Sequence, residues 1–190
     1  PRTEKHLRLT EKNGLSNNSI LNIDGHGETI WLATLGGISE VSWKGNPFNN
    51  EISITGFNDK FNFPEVYVYD VFAAPDGKIW FGTDGKGLYV YENGQFRSFE
   101  TKADTVVRTD DHPKTIYSIA AGQNNTIWIS GVKGQVLQLS ESGQILDHFQ
   151  GSQGLIKSLV RSGVSEMLMI REEGIHVMNR FGQSNLYAES

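Results

Sequence analysis

Apolar positions along this chain come in short blocks of four to seven residues, separated by turns rich in Gly, Asn, Asp and Pro. Blocks of this length, with β-branched and aromatic residues inside them, read as strands rather than helices. The blocks also recur. Thr29-Ile30-Trp31-Leu32-Ala33-Thr34, Lys78-Ile79-Trp80-Phe81-Gly82-Thr83 and Thr126-Ile127-Trp128-Ile129-Ser130-Gly131 superpose, and their tryptophans stand 49 and 48 residues apart. Upstream, Ile20, Tyr69 and Tyr117 each precede their tryptophan by 11 residues, within apolar runs at 19–24, 68–73 and 116–121. The turns between run and tryptophan are Gly25-His26-Gly27, Pro75-Asp76-Gly77 and Gln123-Asn124-Asn125, which supply the positive-φ positions of tight hairpins. Downstream come a Gly-containing turn, an apolar strand (38–43, 88–91, 136–139) and a more variable fourth strand (52–57, 95–100, 144–149).

A period near 48 residues with four strands per unit predicts an all-β fold, a partial β-propeller of about four antiparallel four-stranded blades. The fourth copy is degenerate. It follows the same strand order from 156 to 178, with Leu168 in the tryptophan slot and Lys157 eleven residues before it. Blades are expected at about 15–60, 61–102, 103–152 and 153–190, with 1–14 as the end of a preceding blade. His6-Leu7-Arg8-Leu9-Thr10 reads there as a leading strand. Trp31, Trp80, Trp128 and Leu168 repeat once per unit, which marks them as core between blades rather than ligand contacts. Two residues after each tryptophan, on the same face of its strand, stands a small residue, Ala33, Gly82 or Ser130, expected to make room for the indole.

Composition agrees with many short strands: Gly supplies 21 of 190 residues, and aromatics 11%. Net charge is −5 and the basic residues are scattered, which argues against a nucleic-acid partner. With no cysteine, disulfides, thiolate metal sites and cysteine nucleophiles are excluded. No apolar stretch reaches the roughly 18 residues of a transmembrane helix.

The stretches Gly-Leu-Ser-Asn-Asn-Ser-Ile (14–20), Ile-Trp-Leu-Ala-Thr (30–34) and Pro-Asp-Gly-Lys-Ile-Trp-Phe-Gly-Thr-Asp-Gly-Lys-Gly-Leu (75–88) resemble the two-component regulator propeller repeat. The resemblance implies the periplasmic sensor region of a receptor in the inner membrane. Its output would be a histidine kinase, a hybrid kinase or a diguanylate cyclase on other parts of the parent chain. It also implies a small-molecule or oligosaccharide ligand, and contact with the membrane only through regions outside this chain. Propellers of that family usually have more blades, so open blade edges are expected to drive self-association or packing against neighbours.

No catalytic motif is present: no Gly-x-Ser-x-Gly elbow, His-Glu-x-x-His, phosphate loop or calcium loop. The five histidines lack ligand spacing, so no metal, no cofactor and no catalytic residue is expected. Asp110-Asp111-His112-Pro113 lies in a loop between blades, and adjacent carboxylates in loops are ordinarily solvated. Asp84-Gly85-Lys86-Gly87 is a hairpin turn rather than a nucleotide fingerprint. A ligand over the central channel would meet the loops leading into each blade and the turns between second and third strands. Those segments carry Asn17, Asn18, Phe63, Glu65, Tyr67, Arg108 and His112, and Leu35, Asp84, Lys86, Lys133, Glu172 and Glu173. The ligand-binding candidates are Phe63, Tyr67, Asp84, Lys86, Arg108, His112 and Lys133, with the two aromatics as stacking platforms. Two other readings stay open. A propeller lyase or hydrolase fragment would need three or more convergent His, Asp or Glu side chains. A protein-interaction scaffold would show a large apolar patch on the channel face.

Overall fold

The computed structural model describes residues 5–49, 51–57, 63–101, 112–150, 154–162, 166–179 and 184–186. Four sheets are formed, each a meander of four antiparallel strands in sequence order. Blade 1 is β1 Ile20–His26, β2 Thr29–Thr34, β3 Gly37–Trp43 and β4 Ile52–Phe57. Blade 2 is β5 Val68–Ala73, β6 Ile79–Thr83, β7 Leu88–Glu92 and β8 Gln95–Phe99. Blade 3 is β9 Ser118–Ala121, β10 Ile127–Ser130, β11 Gln135–Leu139 and β12 Ile145–Gln150. Blade 4 is β13 Ser158–Ser162, β14 Glu166–Arg171, β15 Gly174–Asn179 and β16 Ser184–Leu186. The first strands, β1, β5, β9 and β13, touch one another in succession and so line the axis of this partial, unclosed propeller. The hairpin at Asn124 and Asn125 has positive φ at both residues (50° and 59°), the backbone that a two-residue turn matching strand twist requires.

Side-chain alternation sends each tryptophan toward the following blade. Trp31 and Trp80 are buried to 4% and 3% exposure. Trp31 packs on Phe57 of its own fourth strand (centroids 5.5 Å) and on Tyr91 of blade 2 (4.9 Å). Trp80 meets Phe99 edge-on at 4.7 Å. The third copy departs from expectation: Trp128 stacks on Phe149 (5.7 Å, 25°) yet is only half-buried. Leu168 is also half-buried, because its side faces forward, away from blade 3, while Met167 and Met169 fill the seam behind it.

At Gly82 and Ser130 the small residues after the tryptophan make room for the segment leading into the next blade. A Cβ on Gly82 would lie 2.8 Å from the carbonyl oxygen of Ile116 and 2.9 Å from its Cγ2. The space belongs to the segment leading into the next blade. Val68, Ile116 and Ile156, each just before an axial strand position, are at most 1% exposed. Ser130 uses its hydroxyl there, donating to Ile156 O at 3.4 Å.

Neighbouring blades are also tied at their axial strands by side-chain oxygens that accept backbone N–H groups of the next blade. Asp24 Oδ2 accepts from Ala73 N (2.8 Å), Asp70 Oδ2 from Ile119 N (2.6 Å) and Ser118 Oγ from Leu159 N (3.0 Å). Each satisfies a donor that would otherwise be stranded between two sheets.

The expected leading strand is not formed. Residues 5–10 pair with no strand among the described residues, and 11–13 make a single helical turn. Lacking a partner ladder, the segment instead lays Leu9 on the rear face of blade 1, against Ile30, Trp43, Ile52 and Ile54.

Candidate functional site

The start of each first strand lies at one rim of the channel, and the equivalent positions there are Ile20, Tyr69, Tyr117 and Lys157. Tyr69 and Tyr117 are half-buried with ring centroids 5.1 Å apart. Tyr67, two residues before Tyr69, is 51% exposed. Asp84, in the turn between β6 and β7, is fixed beneath them. Its backbone N donates to Tyr67 O (2.9 Å), and its Oδ1 accepts from the Thr115 hydroxyl (3.1 Å). Burial, followed by the nearby Asp84 charge, pushes the Tyr69 phenol above its ordinary value. Thr115 Oγ1 in turn accepts from Gly85 N (3.0 Å), so turn and incoming loop lock together.

On the far side of Tyr117 a hollow of about 380 Å³ is lined by Val132, Lys133, Gly154 and Leu155. Lys133 holds a positive φ of 57° on the short turn between β10 and β11, and its side chain is exposed. Lys157 lies 3.9 Å from Glu172 at the next rim position. The arrangement is a row of phenol faces with an oriented carboxylate on one side and an ammonium on the other. Such a surface offers stacking area together with both donors and acceptors.

The residues nominated from sequence therefore separate. Tyr67, Asp84 and Lys133 belong to this rim. Phe63 does not: it is fully buried, edge-on to Phe81, Tyr89 and Phe96 at 5.2–5.9 Å, because that length of loop tucks under the blade 1–2 seam. Lys86 and His112 line a second hollow of about 450 Å³ farther out between blades 2 and 3, where His112 Nδ1 is 2.5 Å from the Thr101 hydroxyl. Arg108, with Asp110 and Asp111, lies outside the described residues. The sequence reading missed Tyr69 and Tyr117 as site residues. The signal was present: the constant 11-residue offset that marked them as repeat positions is also what places them at the channel rim.

Among the described residues no group of three or more His, Asp or Glu side chains is placed to hold a metal ion, and no helix is long and apolar enough to cross a membrane.

Residues 62–85, from the loop before Tyr67 through β6, match the two component regulator propeller family. No curated protein sequence matches the chain. Among solved structures, the chain is similar to the extracellular domain of BT4673 from B. thetaiotaomicron, a protein described as a one component system (20% identity, TM-score 0.68, covering 90% of this chain and 22% of that one). It is also similar to the extracellular domain of BT3049 from the same organism, described as a hybrid two component system (22% identity, TM-score 0.65, 92% and 24%). AztD from Citrobacter koseri is a more distant likeness (10% identity, TM-score 0.55, 88% and 46%). At these identities the likeness establishes a shared β-propeller fold, and the chain spans less than a quarter of the two B. thetaiotaomicron structures.

Proposed function

We propose that this chain is the ligand-sensing propeller segment of a bacterial two-component-type receptor. It would work outside the cytoplasm, attached to the inner membrane by other parts of the parent protein. The observation that carries the reading is the rim of Tyr67, Tyr69 and Tyr117 with Asp84 and Lys133 at the axial strands. Its likeness in fold to extracellular sensor propellers, and the repeat match at 62–85, supply the context. The role is binding rather than catalysis, since a stacking row with one carboxylate and one ammonium offers recognition and no activated nucleophile. The ligand is an oligosaccharide or a similar polar ring compound, whose flat faces rest on the tyrosines while hydroxyls reach Asp84 and Lys133. Binding would signal only by favouring one arrangement of two receptor chains over another.

The outer faces of the stack add a second element. On blade 4, Val160, Leu168 and Val177 lie in one cross-strand row, beside Ile170 paired with Ile175. On blade 1, Leu21 and Ile23 are 44% and 54% exposed. These faces suit further blades or a second copy, and the blade limits near 60, 102 and 152 remain part of the proposal.

Calorimetric titration of the chain with a panel of oligosaccharides, repeated on Tyr117→Ala, tests the reading. A saturable response that the substitution weakens by tenfold or more supports it. Binding that Tyr117→Ala leaves unchanged, or no binding across the panel at millimolar concentration, would sink it.

A further inference from the structure

Three seams join the four blades, and among the described residues the last leaves its tryptophan the least covered. At the first seam Trp31 meets a cross-strand row of blade 2 formed by Ala73, Ile79, Tyr91 and Phe96. At the second, Trp80 meets the equivalent row Ala121, Ile127, Leu139 and Ile145. At the third, the row begins Arg161, Met167 and Met178. An arginine thus stands in the alanine position, and two slender thioethers replace isoleucine and tyrosine or leucine. The result is a cleft of about 340 Å³ over the half-exposed indole of Trp128. Its floor is the row Trp128, Gln138 and Asp147 of blade 3.

We propose that this cleft is a binding site for a small organic cation, a primary amine carried on a flat apolar body. The volume matches a ligand of modest size. The indole presents a face to a ring or a positive charge, and methionines adapt their shape around either. Two carboxylates border the cleft, Asp147 on the outermost strand and Glu166 at its lip. Against them stands one guanidinium, and Arg161 Nη1 is already committed to Gly122 O at 3.1 Å. The Gln138 amide is likewise oriented, its Nε2 donating to Thr126 (2.9 Å), which leaves its carbonyl as an acceptor. Among the described residues the lining is therefore rich in acceptors and carries a net negative charge beside an aromatic face. The cleft opens where the turn after β9 meets the strands of blade 4, away from the tyrosine rim, so the inference does not depend on the function proposed above.

The test is calorimetry on the 190-residue chain, with phenethylamine as the probe, 2-phenylethanol as its neutral counterpart and cellobiose as a neutral polyol. Phenethylamine is expected to bind one to one, at least tenfold tighter than either neutral compound. Asp147→Asn should weaken it about tenfold. Met178→Tyr, which restores the filling residue found at Tyr91, should abolish it. Tyr117→Ala should leave it unchanged. The proposal is overturned if the alcohol or the sugar binds as tightly as the amine, if no saturable amine binding occurs, or if neither cleft variant changes it. Should Met178→Tyr fail to fold, Asp147→Asn decides alone.

Discussion

Asp70 gives the most direct test of how these blades are held together. It is 5% exposed, lies between blades 2 and 3, and accepts hydrogen bonds from Ile119 N (2.6 Å) and Val71 N (3.0 Å). Burial outweighs those bonds and raises its pKa from 3.8 to about 6. A folded-state pKa above the unfolded value means that the native chain holds a proton the unfolded chain has lost. Stability from this group is therefore complete below pH 3.8 and declines as pH rises to about 6. At 1.36 kcal/mol per unit, the difference amounts to about 3 kcal/mol by neutral pH. Asn keeps the shape and one acceptor oxygen without the charge, but gives up one of the two bonds, since its amide nitrogen only donates. Between pH 4 and pH 7 Asp70→Asn should gain about 3 kcal/mol relative to the parent, whatever constant offset the lost hydrogen bond imposes. Urea unfolding of both proteins at half-unit steps from pH 4 to pH 8 measures this. Taking the difference between them cancels Glu40, whose pKa burial also raises. A gap that stays constant across the range would refute the assignment of the penalty to a buried charge.

The other expectations follow from packing. Gly82→Ala should lower stability by about 1–3 kcal/mol, read by thermal melting, because its methyl would meet the backbone oxygen and the branched Cβ of Ile116. Phe63→Ala should cost about 3–5 kcal/mol in denaturant and leave ligand titrations of the surviving fold unchanged, as fits a core residue. Trp31→Ala should cost more than Trp128→Ala under the same conditions, since only the first removes a fully enclosed indole. Ser118→Ala should cost about 1–3 kcal/mol by stranding Leu159 N, and amide exchange at Leu159 should speed up accordingly.

Much of the scaffold was legible without coordinates. A period near 48 residues, the tryptophan in each second strand and the Asn and Gly turns determine strand order and blade number, because they record local backbone geometry and alternate-face burial. Even the degenerate copy was visible, with Leu168 in the forward-facing slot. What the sequence by itself left undecided is which residues meet across blades. Trp31, Trp80 and Trp128 read alike, yet their burial differs, since each is closed by residues of the following blade that share no local pattern with it. Phe63 and Tyr67 likewise read as equal candidates, and only the packed loop sends one into the core and the other to the surface. Asp70 carries no sequence mark of its burial, for its environment is made by the facing strand of blade 3. The repeat thus determined the elements, and the stacking of one blade on the next decided which side chains became core, lock or site, because burial and charge depend on neighbours that strand periodicity does not encode.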